Sequence, residues 1–316
     1  FNEYNRGKKS LTLDIKQPEG QKILRSLILK ADIFIENWSS GVAERNGLGY
    51  EDLSTDNPSL IYISMPGFGH HGPDSSRVGF GPTIEQMGGL VALQGYPGEG
   101  PHKSGISYGD PIAGATCAAA VIASLLKRTE TGTGQYCVIP QRDGVTGLIG
   151  EYIVAQSLGL PVPLRTDSSS INSAPSGVYR CMPSETPRVV LGPDKSPVAE
   201  IDDQWIAIEC QSTAEWKLLS STMGDSRVIN DKFYSTEYRI ENIEFIDTVI
   251  SEWTASHSPF ELAASLQNIG VSASPVMSPL MLKEDSHLNS RDNFITVKHD
   301  IAGDHLTARP TWRLQR

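Results

Sequence analysis

The sequence is short of the patterns that would announce a metal, a disulfide framework or a nucleic-acid partner. Its four cysteines, Cys117, Cys137, Cys181 and Cys210, are scattered and form no C-x-x-C pair. Disulfides and a zinc site are therefore poor readings, and reduced thiols are expected. The seven histidines include no H-E-x-x-H or H-x-x-x-H pair, so a metal site lacks its spacing. Net charge is −10, the wrong balance for a general nucleic-acid binder, which needs clustered Lys and Arg to displace counterions. A local basic pocket for a phosphorylated ligand is compatible with that charge. No apolar run approaches the ~20 residues that span a bilayer, and no membrane partner is expected. The opening stretch, Phe1 to Lys9, is polar and basic, unlike a secretory signal. It also lacks an initiator Met, so the chain is expected to begin inside a longer protein.

What is present is an ordinary globular composition. Hydrophobic residues make up 39% and charged residues 20% of 316 positions, enough for one large domain or two modest ones. The first half alternates strand-like and helix-like segments. Ser10 to Ile15 is a short β-branched run, and Pro18-Glu19-Gly20 opens a helix with Ile23, Leu24, Leu27 and Ile28 at helical spacing. Asp32 to Ile35 and Leu60 to Ser64 read as buried strands, and the second ends in the turn Pro66-Gly67-Phe68-Gly69. Asp110 and Pro111 open a long small-residue helix, Ile112 to Lys127, before the strand Gln135 to Ile139. This alternation predicts an α/β fold, a doubly wound and mostly parallel Rossmann-like large domain over residues 1–165.

The character changes near Thr166, where Thr166-Asp167-Ser168-Ser169-Ser170-Ile171-Asn172-Ser173 reads as a linker or mobile loop. Strands are expected at Gly177–Cys181, Gln204–Glu209 and Val271–Val276. Helices are expected at Thr213–Met223, Ile240–Ala255 and Pro259–Gln267. Between the first two strands, Met182 to Asp203 is rich in Pro, Ser and Asp and reads as a surface insertion. Residues 166–285 thus form a smaller α+β domain, and 286–316 begin a segment returning to the large one.

Three groups of residues invite a chemical reading. Gly67-Phe68-Gly69-His70-His71-Gly72 has the letters of a dinucleotide fingerprint, but the next residues, Pro73-Asp74-Ser75-Ser76, are loop-forming and not helix-opening. A glycine loop near a ligand fits better, with His70 and His71 both solvated. Asp110 has two compatible readings. It serves as an N-cap with Pro111 at N1, or as an ionised carboxylate at a helix N-terminus able to attack an activated acyl carbon. Spacing does not choose between them. The basic residues Arg6, Lys8, Lys9 and Lys16 are a solvated face or a phosphate site, and Arg45 lies in a loop after a strand, where α/β folds place ligand contacts.

Motifs spread in order along the chain resemble the family III coenzyme A transferases, the CaiB/BaiF or formyl-CoA transferase-like group. They begin with Asn5-Arg6-Gly7-Lys8-Lys9-Ser10-Leu11-Thr12-Leu13-Asp14 and Ala31-Asp32-Ile33-Phe34-Ile35-Glu36-Asn37. Gly47-Leu48-Gly49-Tyr50, Gly67-Phe68-Gly69, Gly109-Asp110 before its Ala-rich helix and Gly132-Thr133-Gly134-Gln135 follow. Ala174-Pro175-Ser176-Gly177-Val178-Tyr179 and Asp203-Gln204-Trp205-Ile206-Ala207-Ile208 are similar to the family's small domain. No single motif decides; their order and spacing do.

The resemblance implies a cytoplasmic transferase that moves coenzyme A from an acyl-CoA to a small carboxylic acid. Asp110 would be its catalytic residue, passing through an aspartyl anhydride and an aspartyl-CoA thioester. It implies CoA contacts at Leu13, Lys16, Asn37, Trp38 and Arg45, no metal, and no permanently bound cofactor beyond CoA as substrate. Trp38 stands where the family usually has Phe, and Asn46 replaces an often apolar neighbour. The stretch Ser168–Ser173, where several members carry a glycine-rich covering loop, has no glycine. Gly79-Phe80-Gly81-Pro82 and Tyr108 are candidate pocket residues whose other reading is ordinary packing. Relative to the family, an opening strand–helix unit and a closing segment are expected outside this sequence, and an interlocked homodimer is the family's assembly. The alternatives are an acyl-CoA racemase, epimerase or lyase of the same fold, and a non-catalytic CoA-binding relative. A racemase pairs the Asp with a His for proton transfer on the opposite face, and Phe80 stands at the corresponding position.

Overall fold

The computed structural model describes residues 1–166, 168–184, 188–191, 194, 196–200 and 203–314. They form two compact units, one of residues 9–167 and one of residues 1–8 with 168–316.

The first unit contains, in order, α1 (Pro18–Ile28), β1 (Ile33–Glu36), α2 (Val42–Arg45), α3 (Tyr50–Asp56), β2 (Ile61–Ser64), α4 (Gly81–Met87), α5 (Leu90–Leu93), α6 (Gly109–Thr131), β3 (Tyr136–Val138), α7 (Gln141–Leu148) and α8 (Gly150–Ser157). Its sheet is parallel, in the order β1-β2-β3, with Ile63 opposite Ile35 and Cys137. The described strands follow chain order, without the reversal that defines a doubly wound sheet. The central strand shows why a parallel sheet needs layers on both faces. Leu60 and Tyr62 pack with Ile28, Leu48 and Leu53, while Ile61 and Ile63 pack with Cys117 and Ile139. Alternate side chains point to opposite faces, and each buried Ile contributes roughly 1.5–3 kcal/mol.

Two expectations for this unit fail. Ser10–Ile15 forms no strand. The run has β-prone residues but no ladder partner, and Asp14 turns it: its carbonyl accepts Gln17 N–H at 3.2 Å and its Oδ1 accepts Lys16 N–H at 3.0 Å. That is an Asx-type turn leading into α1. The long helix also runs further than expected. At 23 residues, Gly109–Thr131 is long and apolar enough by length and composition to cross a bilayer, contrary to the reading of the bare sequence. The added last turn, Arg128 to Thr131, is polar and carries no apolar period, which concealed the helix's reach. It stops at Gly132, which is left-handed at φ 74° and donates its N–H to the Arg128 carbonyl.

The second unit holds β4 (Ser176–Arg180), β5 (Arg188–Leu191), β6 (Pro197–Glu200), β7 (Trp205–Glu209), α9 (Thr213–Met223), α10 (Thr236–Glu241), α11 (Ile243–Thr254), α12 (Pro259–Asn268), β8 (Ser272–Pro275), α13 (Pro279–Leu282), α14 (Ser286–Ser290), β9 (Phe294–Val297) and β10 (His305–Ala308). β4, β7 and β8 make an antiparallel sheet, and β5–β6 and β9–β10 are antiparallel pairs. The expected surface insertion is thus a two-stranded pair where it is described; residues 185–187, 192, 193, 195, 201 and 202 lie outside the described residues. Trp216, Leu219, Ile246, Ile250 and Leu266 pack against Ile206 and Ile208 to form the core. The helix expected over Ile240–Ala255 breaks at Asn242, whose φ of −115° and ψ of 27° are not helical and whose Nδ2 donates to the Tyr238 carbonyl at 2.7 Å. Asn bonds its own backbone readily and so favours helix ends.

Candidate active site

Asp110 does not cap its helix. The N-cap is Tyr108, and Asp110 is the second residue of α6, with Pro111 third. Pro is tolerated there because first-turn N–H groups have no intrahelical partner. Asp110 is exposed, and among the described residues its carboxylate has no hydrogen bond or ion pair. A carboxylate placed this way is available as a nucleophile instead of being spent on the backbone.

The surroundings of Asp110 are built by α4. A side-chain carbon on Gly81 would lie 2.9 Å from Asp110 Oδ2 and 2.3 Å from Ser107 Cβ. Glycine is what keeps this flank of the carboxylate clear. Ile84, on the same short helix, is fully buried and packs with Phe68 and Val145 beneath the site. Phe80, beside Gly81, is exposed and has no group that moves a proton. Tyr108, a candidate pocket residue, is the N-cap of α6 and is tied to Glu85 through its backbone N–H.

The residue missed by sequence reading is Glu85. It is fully buried on α4. Its carboxylate accepts the N–H of Tyr108, the N-cap of the helix carrying Asp110, and the hydroxyl of Ser104 at 3.2 Å. The cap is therefore supplied from another helix. A single Glu inside the apolar Gly81–Met87 segment was the available signal; nothing local linked it to Tyr108.

Of the residues read as CoA contacts, Asn37, Trp38 and Arg45 follow the C-terminal end of β1. Asn37 is exposed immediately after the strand, and Trp38 is half-buried with its ring 6.2 Å from that of Phe34, edge to face. Arg45 ends the short helix α2, where a loop was expected. The chain turns at Gly41, left-handed at φ 78°, and a carbon added there would be 2.8 Å from Arg45 Nη1. Arg45 is exposed and has no acidic partner among the described residues; the same holds for Lys16, while Leu13 is half-buried. The basic residues near the start are divided: Lys9 and Lys16 belong to the first unit, and Arg6 and Lys8 to the second, where Arg6 donates to the Ala308 carbonyl at 2.7 Å.

His70 is not solvated, contrary to expectation. Its Nδ1 is 3.0 Å from Ser40 Oγ and its Nε2 is 2.9 Å from Ser64 Oγ. The buried Glu36 accepts the Trp38 N–H with its carboxylate at 2.7 Å. Burial raises the Glu36 pKa above the ordinary carboxylate value, opposed by Ser64, by the Trp38 N–H and by His70. His71 is exposed.

Elsewhere, a groove of about 650 Å³ lies within the second unit, lined by Ser168, Gly177, Val178 and Glu209 among others. The Ser168–Ser173 stretch is tied to it: Ser173 Oγ donates to Glu209 at 3.0 Å and Ser176 Oγ to the Ser168 carbonyl at 3.2 Å. All four cysteines are free thiols, and no group of His, Cys, Asp and Glu able to hold a metal occurs among the described residues.

Comparison with known proteins fits this arrangement. The succinyl-CoA–D-citramalate CoA-transferase of Chloroflexus aurantiacus is 32% identical over 296 residues, covering 93% of this chain and 69% of that protein. A formyl-CoA:oxalate CoA-transferase of Streptomyces avermitilis is 27% identical, covering 97% of this chain and 74% of that protein. The crystal structure of a CaiB/BaiF family protein from Brucella suis superposes with a TM-score of 0.83 at 28% identity, over 98% of this chain and 76% of that one. The sequence profile of CoA-transferase family III matches residues 1–198 and 191–316. The chain is therefore an enzyme belonging to CoA-transferase family III.

Proposed function

We propose that the enzyme transfers coenzyme A from an acyl-CoA donor to a small carboxylic acid, with Asp110 carrying each acyl group in turn. The single observation that carries this reading is the unpaired, exposed Asp110 carboxylate in the first turn of α6, flanked by Gly81.

The steps balance without a further reactant. An Asp110 oxygen attacks the thioester carbonyl, the C–S bond breaks, and CoA leaves as thiolate, giving a mixed anhydride. The thiolate attacks the Asp110 carbonyl carbon, the donor acid departs as carboxylate, and an aspartyl-CoA thioester remains. The acceptor carboxylate attacks that thioester, expelling thiolate and forming a second anhydride. Thiolate then attacks the acceptor carbonyl, releasing acyl-CoA and the Asp110 carboxylate. Splitting one difficult exchange into such steps is the gain of covalent catalysis. Anhydrides hydrolyse, so the site must exclude water while they exist.

CoA is proposed to lie against Leu13, Lys16, Asn37, Trp38 and Arg45. The unpaired cations suit its phosphates, Arg45 with a bidentate fork, and Trp38 offers an aromatic surface. The relatives named above act on citramalate and oxalate, which favours a short carboxylic acid as acceptor here. A cytoplasmic homodimer is proposed from family resemblance, and sedimentation tests the dimer. The reaction is tested by incubating the complete protein with a matrix of acyl-CoA donors and carboxylic acids. Exchange of CoA between at least one pair is expected; racemisation or cleavage of acyl-CoA with no exchange would contradict it.

A further inference from the structure

We propose that Glu36 and His70 are positioning residues that hold the loop Asn37–Gly41 in its CoA-binding form, Glu36 through the Trp38 amide and His70 through the Ser40 hydroxyl. This deepens the preceding reading and rests on it, because the loop matters only if Trp38 and Arg45 meet CoA.

Two side chains meet the loop at separate points. The Glu36 carboxylate accepts the Trp38 N–H at 2.7 Å. His70 lies between Ser64 and Ser40, with Nε2 2.9 Å from Ser64 Oγ and Nδ1 3.0 Å from Ser40 Oγ. The loop is thus pinned at Trp38 by its backbone and at Ser40 by its side chain, from β1, β2 and the loop after β2 at once.

Burial makes the arrangement strict. Ser64 is 1% exposed and Glu36 7%, so a bond left unmade at either cannot be replaced by water at little cost. The charged and titratable groups facing Glu36 are His70, Glu44, Tyr62 and Tyr136. No cation pairs with it among the described residues, leaving the Trp38 amide as its direct bond.

Steady-state kinetics of the complete enzyme with an acyl-CoA donor tests this, using Ser40→Ala, His70→Ala, Glu36→Gln and, as control, Arg45→Ala. Ser40→Ala and His70→Ala are expected to raise KM for acyl-CoA about fivefold or more, the worth of a net hydrogen bond. Their kcat should stay within about twofold, since a positioning loss falls on binding. Glu36→Gln is expected to keep KM within about threefold, because its amide oxygen can still accept the Trp38 N–H. An effect of Arg45→Ala without one of Ser40→Ala or His70→Ala overturns the positioning role while leaving the CoA contacts standing. No effect of any of the three removes the CoA-contact reading itself, and this role with it. Should His70→Ala not fold, Ser40→Ala decides, since it removes only one loop hydroxyl: a raised KM for acyl-CoA is expected, and an unchanged one overturns the role.

Discussion

The Cα of Gly81 faces Asp110 so closely that a single added carbon would stand 2.9 Å from the carboxylate oxygen. It would also meet Ser107 Cβ at 2.3 Å, and neither neighbour is the free end of a long side chain. Gly81→Ala is therefore expected to displace the start of α6 and lower kcat/KM by roughly 10- to 100-fold, in line with small misplacements of reacting groups. The overpacking should cost about 1–3 kcal/mol. Kinetics and urea unfolding of the same variant check both numbers; unchanged kcat/KM would show that Asp110 does not react from this position.

Glu85 supplies the cap that the Asp110 helix lacks in its own sequence. Glu85→Ala leaves the Tyr108 N–H and the Ser104 hydroxyl without this acceptor in a buried place. A loss of about 1–3 kcal/mol is expected, with a smaller one for Glu85→Gln, whose amide oxygen can still accept. Denaturant midpoints at constant slope distinguish the two.

Glu36 makes stability depend on pH in a stated direction. Its folded pKa lies above its unfolded value of about 4.5 because burial disfavours the charge. Between the two values the folded state binds more protons than the unfolded one, so stability falls as pH rises through that window. Glu36→Gln does not titrate, and the gap in unfolding free energy between variant and wild type should change in the variant's favour across it. A constant gap from pH 4 to 8 would contradict the assignment.

In the second unit, Arg239 is fully buried and joins three segments by donating to the carbonyls of Ala174 and Phe233 and to Thr236 Oγ1, at 2.5, 2.9 and 3.1 Å. Arg239→Leu strands those acceptors and is expected to cost about 3 kcal/mol or more. Arg239→Lys should recover only part, since one ammonium does not reproduce a planar fork. Thermal unfolding of both variants measures it.

Much of the frame was legible in the sequence because local pattern and burial agree there. β2 was readable as a run buried on both faces, and α9 lies where expected because Ser212 caps it, accepting the Glu215 N–H. Asp110 was singled out through the resemblance; its spacing alone suited a cap, and the structure assigns the cap to Tyr108. Ser10–Ile15 misled because a strand depends on a neighbour that composition does not reveal. Glu85 and His70 were unreadable for a related reason. Their partners lie 23 positions away for Glu85–Tyr108 and 30 for Ser40–His70, and only the tertiary fold brings them together.

The central claim is that Asp110 carries the acyl group, and intact-mass analysis tests it most directly. The complete enzyme is incubated with an acyl-CoA and trapped with hydroxylamine, then mapped by peptide mass. Modification at Asp110 is expected in the wild type, with none in Asp110→Ala and a loss of transfer of about a thousandfold or more. An adduct that survives Asp110→Ala, or transfer undiminished by it, would contradict the account.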